Sequence, residues 1–518
     1  MGLLFSETSS DIIAFLLIGF LAAYFYVKQA YSYWKRLGVK YVEPTFPFGN
    51  FGPTIFQKRV AGELVADVYN SSNEPFIGMF GVLRPLLVVR DPKLVRSIFI
   101  KDFQYFVDRG VYIDEKNDPL SGHLFSMRGE AWKNLRVKMS PLFTSGKLKA
   151  MFSTLLDCGT PLQKYISKKA AMNQSVEFRE LAARYTTDII ASVGFGIDVN
   201  TIDNPDAEFR RYGRKALEMN FKNGLRAFST LIYPKLQKLL SLKSVDDDVE
   251  SFMMNVVKET LTYREKNNVS RKDLMQLMIQ LRNTGKVQND GDWDTKIVSD
   301  EAKKTLTFNE ISAQAWVFFI AGFETSSSTL SFCLYELAKN ADIQKKAQNE
   351  IDEIKKQHNG QLSYDAVGEM KYIDWCIDET LRKYPIVPIL NRECAQTYKV
   401  PGSNYVMEKG TAILIPVLGI QRDPTYYPKP DEFIPERFKP ENIKPFEDMP
   451  YMPFGDGPRN CIGVRLGKLQ TKVGLILMLQ NHNYHLTENT LGELKMSPKT
   501  FVLAPEGGVN LKMTPRSV

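Results

Sequence analysis

The ten residues Phe454-Gly455-Asp456-Gly457-Pro458-Arg459-Asn460-Cys461-Ile462-Gly463 concentrate more chemistry than any other stretch of the chain. Three glycines within nine residues permit tight turns and let backbone approach a flat, bulky partner closely. A dinucleotide loop would need a third glycine where Asn460 stands, and no βαβ pattern surrounds it. Cys461 lies just ahead of Val464-Arg465-Leu466-Gly467-Lys468-Leu469, which reads as the opening of a helix, so the helix N-terminus and nearby N–H groups favour its thiolate. Arg459, two residues earlier, offers a cation for an anionic group of the same ligand. A lone cysteine is most often a small buried hydrophobe. A thiolate, backbone clearance and a partner for a carboxylate, all in one loop, are what an axial ligand of haem iron needs.

A second reactive pattern lies in a helical stretch around 307–338, whose start is fixed by the capping box Thr307-Phe308-Asn309-Glu310. Val317, Phe318, Ala321 and Thr325 share one face of that helix, and small Ala321, mid-helix Gly322 and the Thr325 hydroxyl would leave room there for a ligand. Thr325 beside Glu324 offers an alcohol and a carboxylate for moving protons, a general-acid task. The alternative is that Thr325 back-bonds to the Ala321 carbonyl. Glu379 and Arg382, three residues apart, would by themselves be a routine surface pair. His123, His358, His482 and His485 show no metal spacing beyond the last two and read as surface or loop residues.

These residues need elements to position them. Residues 76–100 hold short apolar runs broken by Gly, Arg-Pro and Asp-Pro, which predicts two strands and a helix. From about 128 to 385 the apolar spacing is helical, with polar breaks near 145, 200, 245 and 290. Strand signals return at 386–420, where Tyr405-Val406-Met407 and Thr411 to Ile415 flank Glu408-Lys409-Gly410 as a hairpin. Residues 420–460 form a long irregular segment, which a compact domain tolerates where it serves a site. The tail from Met496 to Met513 reads as paired strands around Glu506-Gly507-Gly508. The fold class is mainly α with small peripheral β-sheets.

The 518 residues are 44% apolar and 24% charged, a globular composition with no linker that would divide it into several domains. Sixty-seven Lys and Arg against 59 Asp and Glu are spread along the chain, which excludes nucleic-acid binding and leaves room for a basic patch facing an acidic protein or an anionic membrane. Five cysteines without CxxC spacing exclude a disulfide framework and a zinc site. Ile12 to Val27 carry no charge and as a helix reach about 24 Å. That falls slightly short of the roughly 27 Å core of the endoplasmic reticulum bilayer. Snorkelling Lys28 and the aromatics Tyr31, Tyr33 and Trp34 would make up the difference. No basic residue precedes this run and no A-x-A site follows it, which predicts a retained anchor rather than a cleaved signal. Lys28, Lys35, Arg36 and Lys40 after the run place the body in the cytosol. The sequons at Asn70, Asn173 and Asn268 are then unused. The expected division is an anchor at 1–28, a basic, proline-containing hinge at 29–50 and a catalytic body at 51–518.

The cysteine loop resembles the haem-binding signature F-x-x-G-x-R-x-C-x-G of cytochrome P450 monooxygenases at every position. Trp132-Lys133-Asn134-Leu135-Arg136, Ala321-Gly322-Phe323-Glu324-Thr325, Glu379-Thr380-Leu381-Arg382 and Pro435-Glu436-Arg437-Phe438 follow the same family pattern in order. Within the family, Ser140 to Lys147 and Tyr451 to Gly455 resemble the insect microsomal branch numbered six, associated with detoxification. The hinge lacks the family's Pro-Pro-Gly-Pro run. The resemblance implies haem b with Cys461 as axial ligand, Phe454 beside it, and Trp132, Arg136, Arg392 and Arg459 on its propionates. It implies that Thr325 and Glu324 assist oxygen activation and that Glu379, Arg382 and Arg437 lock the 420–460 segment from inside. Val317, Phe318, Ala321, Phe221, Val387 and Phe501 are then substrate contacts, with Phe228 in the same covering segments. Lys133, Lys138 and Lys468 are docking residues for an electron donor. The implied activity is NADPH-driven oxidation of lipophilic molecules on the cytosolic face of the endoplasmic reticulum, through NADPH-cytochrome P450 reductase and with cytochrome b5 as a further donor. A dedicated hormone or lipid hydroxylase, a haem-thiolate isomerase or dehydratase, and a non-catalytic haem-binding membrane protein are the alternatives.

Overall fold

A computed structural model of the protein describes residues 7–218, 220–231, 234–287, 305–500 and 502–516. The helices that build and flank the site are α1 (Glu7–Tyr31), α2 (Gly129–Met139), α3 (Ser145–Ala171), α4 (Phe178–Ile190), α5 (Phe221–Leu231), α6 (Asp247–Asn267), α7 (Phe308–Lys339), α8 (Lys371–Lys383) and α9 (Val464–Leu479). The long α7 runs through the core. Its start is the capping box: Glu310 N donates to Thr307 Oγ1 (3.1 Å) while Thr307 N donates to Glu310 Oε2 (2.8 Å). Helices α4 and α9 pack against it, and glycines permit the close approach: a Cβ at Gly322 would lie 2.7 Å from Ile190, and one at Gly474 would lie 2.7 Å from Tyr185. Gly322 therefore makes room for a neighbouring helix, which corrects its reading as space for a ligand.

Among the described residues the strands are β1 (Phe76–Gly81), β2 (Arg84–Val89), β3 (Val176–Glu177), β4 (Leu390–Glu393), β5 (Tyr398–Lys399), β6 (Val406–Met407), β7 (Ala412–Ile415), β8 (His482–Leu486) and β9 (Asn510–Pro515). They form a four-stranded sheet in the order β1-β2-β7-β4, a three-stranded sheet β3-β9-β8 and the pair β5-β6. The expected 405–415 hairpin does not form. β6 pairs with β5, while β7 lies parallel to β2 (Leu86 opposite Ala412) and antiparallel to β4 (Arg392 opposite Ile413). The four buried residues of β7 are satisfied by two flanking strands, which a hairpin partner of two residues could not supply. In the tail, 495–506 folds back on itself (Ser497 N to Ala504 O, 2.8 Å), but β9 then pairs with β8 and β3.

The N-terminal segment divides differently from the expectation. The apolar side chains of α1 stand exposed, Phe15 at 76%. Among the described residues α1 and α7 are the helices long and apolar enough to cross a membrane, and α7 is largely buried inside the protein. Trp34, expected at a membrane interface, is fully buried: its Nε1 donates to Met79 O (3.0 Å), and a Cβ at Gly78 would lie 2.5 Å from its ring. Residues 40–50 likewise pair with β1, through Val42 N to Gly78 O (3.0 Å) and Asn50 N to Phe80 O (2.9 Å). This segment is part of the body rather than a free hinge, because burying an indole and pairing backbone both favour docking over a solvated spacer. Two of the three sequon asparagines have a structural use: Asn173 and Asn268 take positive φ just beyond the ends of α3 and α6.

Candidate active site

The cysteine loop is held from three directions. Cys461 N donates to Phe454 O (2.8 Å), closing the loop on itself. Gly455 and Gly457 both have φ of +70°, and a Cβ at Gly457 would lie 1.9 Å from Phe99 O, so no other residue fits there. From α2, Arg136 donates to Asn460 O (2.8 Å) and Asn460 Oδ1 (2.9 Å). Arg136 thus grips the residue before the cysteine, where the sequence suggested a hold on an anionic ligand; α2 lies close enough for its guanidinium to meet the loop first.

Cys461 presents accessible surface and is nevertheless surrounded by protein deeply enough that burial raises its pKa. That surface therefore lines an interior cleft. The hydrogen bond from Gly463 and the charges of Arg136 and Arg109 pull the pKa the other way and are outweighed. The helix-end environment alone does not hold a thiolate here; a bound cationic metal deprotonates a coordinating thiol outright.

Around the cysteine loop lie the guanidiniums of buried Arg392 and Arg459 and of half-buried Arg109. Among the described residues none has a carboxylate within salt-bridge distance. Each Nε is buried without a hydrogen-bond partner, as is one terminal nitrogen of Arg459. Their remaining bonds are to carbonyls: Arg109 to Arg459 O (3.1 Å), Arg392 to Asn391 O (2.9 Å) and Arg459 to Met127 O. Aromatic faces cover them, Phe125 at 4.1 Å from Arg109, Phe99 at 4.8 Å from Arg392 and Trp132 at 4.5 Å from Arg459. Burial and mutual repulsion push Arg392 well below its ordinary pKa and, outweighing the opposing charge of Asp108, take Arg459 down to about 9, while burial takes Arg109 to about 10. Unpaired buried cations are costly, and two carboxylates delivered by a ligand would satisfy them. The donor set, one sulfur and a cluster of arginines, fits haem and its propionates. Arg109 was not visible as a site residue in sequence, since no spacing links it to partners some 280 and 350 positions away. His123, expected on the surface, lies beside Arg109, and burial lowers its pKa to about 4. His482, also expected on the surface, is buried in β8.

In the middle of α7, Val317, Ala321 and Thr325 keep open surface at i, i+4, i+8, with Ile320 and Gly322 partly open beside them. Phe318 faces elsewhere, with its ring 5.3 Å from Phe143, which in turn borders Gly463. Thr325 Oγ1 donates to Ala321 O (2.7 Å), the back-bonded arrangement. The next two carbonyls also take side-chain donors, Gly322 O from Gln470 (2.8 Å) and Phe323 O from Thr186 (2.9 Å). Glu324 points to α4, where Arg179 holds it at 2.7 Å. Sequence adjacency to Thr325 therefore does not put the two on one face.

Glu379 lies at the centre of a closed network. Arg382 donates to both its oxygens (2.7 and 2.9 Å), Arg437 Nε to Oε1 (3.3 Å) and Ile434 N to Oε1 (3.0 Å). Arg382 also donates to Gln421 O and Pro430 O, so α8 ties down 421–437. Val387 is half-buried in the turn between α8 and β4, and Leu503 N donates to Ile386 O (2.8 Å), bringing the C-terminal segment alongside. Phe501 and the side chains of Phe221 and Phe228 lie outside the described residues. Of the basic residues, Lys468 is paired with Asp378, and exposed Lys133 is 3.8 Å from Glu130.

The family model described as Cytochrome P450 matches residues 45–513. Cytochrome P450 6d3 of Musca domestica is 39% identical over 515 residues, covering 97% of this chain and 99% of the relative. Probable cytochrome P450 6d4 of Drosophila melanogaster is 40% identical over 499 residues, covering 95% and 96%. Cytochrome P450 6k1 of Blattella germanica is 38% identical over 505 residues, covering 97% and 96%.

Proposed function

From the premise that this chain belongs to the cytochrome P450 family and is a haem-thiolate monooxygenase, we propose that it oxidises lipophilic xenobiotics at the endoplasmic reticulum membrane. Such enzymes need a reductase partner and take lipophilic substrates. Here the donor is NADPH-cytochrome P450 reductase, supplemented by cytochrome b5, with α1 as the membrane anchor and the body in the cytosol. The observation that carries the site assignment is the set of three arginines beside the Cys461 loop that make no ion pair among the described residues and keep buried Nε atoms without hydrogen-bond partners.

Haem, when bound, supplies the iron at which dioxygen is reduced and one oxygen atom is inserted into substrate. Cys461 would hold the iron through its sulfur, and Arg136 keeps that residue in place by gripping Asn460. Arg109, Arg392 and Arg459 would hold the two propionates, exchanging unpaired burial for charge-assisted hydrogen bonds. Trp132 backs Arg459 and Phe454 closes the loop. Val317 and Ala321 give the substrate an apolar wall, with Phe221, Val387 and Phe501 as further contacts. Thr325 holds its proton on Ala321 O and offers its oxygen lone pairs to the cleft, where it can accept from water and pass a proton on by rotating about χ1. Glu324 acts only on release from Arg179, so the hydroxyl is the immediate proton carrier. Detoxification is the reading that the resemblance of Ser140 to Lys147 to the insect microsomal branch supports.

Turnover of a mixed panel of plant toxins, insecticides and insect hormones, with reductase and NADPH and read by mass spectrometry, tests this function. Oxidation of several chemically unrelated xenobiotics is expected. Turnover confined to one hormone would replace it with a dedicated hydroxylase, and conversion without NADPH with an isomerase. Thr325→Ala is expected to keep haem and NADPH consumption while product per NADPH falls, by up to ~10²-fold, and hydrogen peroxide rises. Thr325→Ser restores the hydroxyl and should recover most of that coupling. Full coupling in the alanine variant would leave Thr325 as a back-bonded helix residue and nothing more.

A further inference from the structure

Gln314 lies on α7 one turn before Val317 and is fully buried. A buried amide is costly unless its donors and acceptor are used. Here its Oε1 accepts from Leu124 N (2.9 Å) and its Nε2 donates to Gly122 O (3.2 Å), with a second bond to Glu310 O (3.3 Å) in its own helix. The side chain thus pairs with a loop backbone much as a neighbouring strand would, at a place where the loop has no strand beside it. The same loop is tethered at its start: buried Asp118 accepts from Ser244 N (2.7 Å) and Ser244 Oγ (3.0 Å), just ahead of α6.

Beyond Gly122 the loop closes a turn, His123 O accepting from both Ser126 N and Met127 N (3.0 Å). Gly122, Leu124 and Ser126 are buried, while His123, Phe125 and Met127 keep open surface. That open side belongs to the site. Phe125 lies under the Arg109 guanidinium, and Met127 O accepts from Arg459. The clamp therefore sets the register of one wall, carrying His123, Phe125 and Met127, against another, the open stripe of Val317, Ala321 and Thr325. Without the clamp the turn would be free to shift as a unit relative to α7.

We propose that Gln314 is a positioning residue for substrate selectivity. By holding Gly122 and Leu124 to α7 it fixes the spacing between the two walls, and with it the preference for lipophilic substrates bulky enough to touch both. The proposal rests on the monooxygenase function above. Gln314 touches neither substrate nor cofactor, and the loop's apolar Phe125 and Met127 are the contacts it aims.

The test uses the full-length holoenzyme with Gln314→Met, which keeps length and volume and removes the amide. Its reduced carbonyl spectrum reports that the cysteine loop is intact. Hydrogen exchange at 119–127 should accelerate about tenfold, the loss of on the order of one hydrogen bond's protection. The ratio of kcat/KM for a bulky against a small lipophilic substrate should shift about tenfold, mainly through KM, and the distribution of oxidised positions should change. Gln314→Glu, which keeps the acceptor for Leu124 N and loses the donor to Gly122 O, should fall between parent and Met variant, and it serves if the Met variant loses its haem. Faster exchange with an unchanged substrate ratio and unchanged product positions would overturn the selectivity role, and unchanged exchange would overturn the clamp itself. A parent enzyme that turns over no lipophilic substrate would instead overturn the function on which the proposal rests.

Discussion

Two clusters of buried arginine in this protein are handled in opposite ways. Arg382 and Arg437 share the carboxylate of Glu379, and the leftover donors reach Gln421, Pro430 and Lys429 carbonyls. Arg109, Arg392 and Arg459 share no carboxylate, repel one another and keep buried nitrogens without partners. The first cluster is complete in the polypeptide; the second is complete only when something anionic arrives. Burial of charge is tolerated in both, but in the first it shapes the chain and in the second it selects a ligand.

Removing the acid from the complete cluster should have the largest effect. Glu379→Gln strands Arg382 and Arg437 in the interior, a cost of about 3–5 kcal/mol, and should abolish recovery of folded, haem-loaded protein. A variant with parental haem content and thermal stability would show that the network is dispensable. Truncating a member of the incomplete cluster should act with opposite signs on its two states. Arg459→Met relieves repulsion, so the haem-free protein should be no less stable, while haem transfer to a scavenger should accelerate about tenfold or more through loss of charged hydrogen bonds. Equal destabilisation of haem-free and haem-loaded protein would erase the distinction between the clusters.

A smaller effect follows from proton linkage. Arg459 is a cation whose folded pKa, about 9, lies below its unfolded value, so the unfolded chain binds more protons between the two. The penalty is complete below pH 9 and is relieved as pH rises through it. In haem-free protein, Arg459 should contribute on the order of 1 kcal/mol of added stability between pH 8 and 10, seen as the difference in urea midpoint between parent and Arg459→Met. With haem bound the difference should vanish, and a difference of the same size in both states would assign the shift to something other than missing anions.

The contrast between the clusters also marks what the sequence can and cannot carry. Cys461 with its glycines, the Thr307 to Glu310 capping box and the open i, i+4, i+8 stripe of α7 are written within a few residues, because turns, caps and helix faces are local. Arg109 carries no such mark. Its significance comes from Arg392 and Arg459 meeting it in space, as that of Gly322 comes from Ile190 and that of Trp34 from Gly78. Arg136 and Glu324 are instructive in the same way. Both stand in recognisable patterns, yet the packing of α2 and α4 gives one to Asn460 and the other to Arg179. The β7 partnership was hidden for a related reason: a short apolar strand does not say whether its partner is the next strand or one 326 residues back, as Leu86 is from Ala412.

The central claim is that the cysteine loop and the arginines without ion pairs form one receptor for haem, with Cys461 as its axial ligand. The reduced carbonyl spectrum of parent and Cys461→His tests it most directly, because a thiolate pushes electron density onto iron in a way an imidazole does not. The parent should give the long-wavelength band typical of this family, and the variant, loaded with haem through the intact arginines, should lose that band while still binding carbon monoxide. An unchanged band in Cys461→His would contradict the assignment.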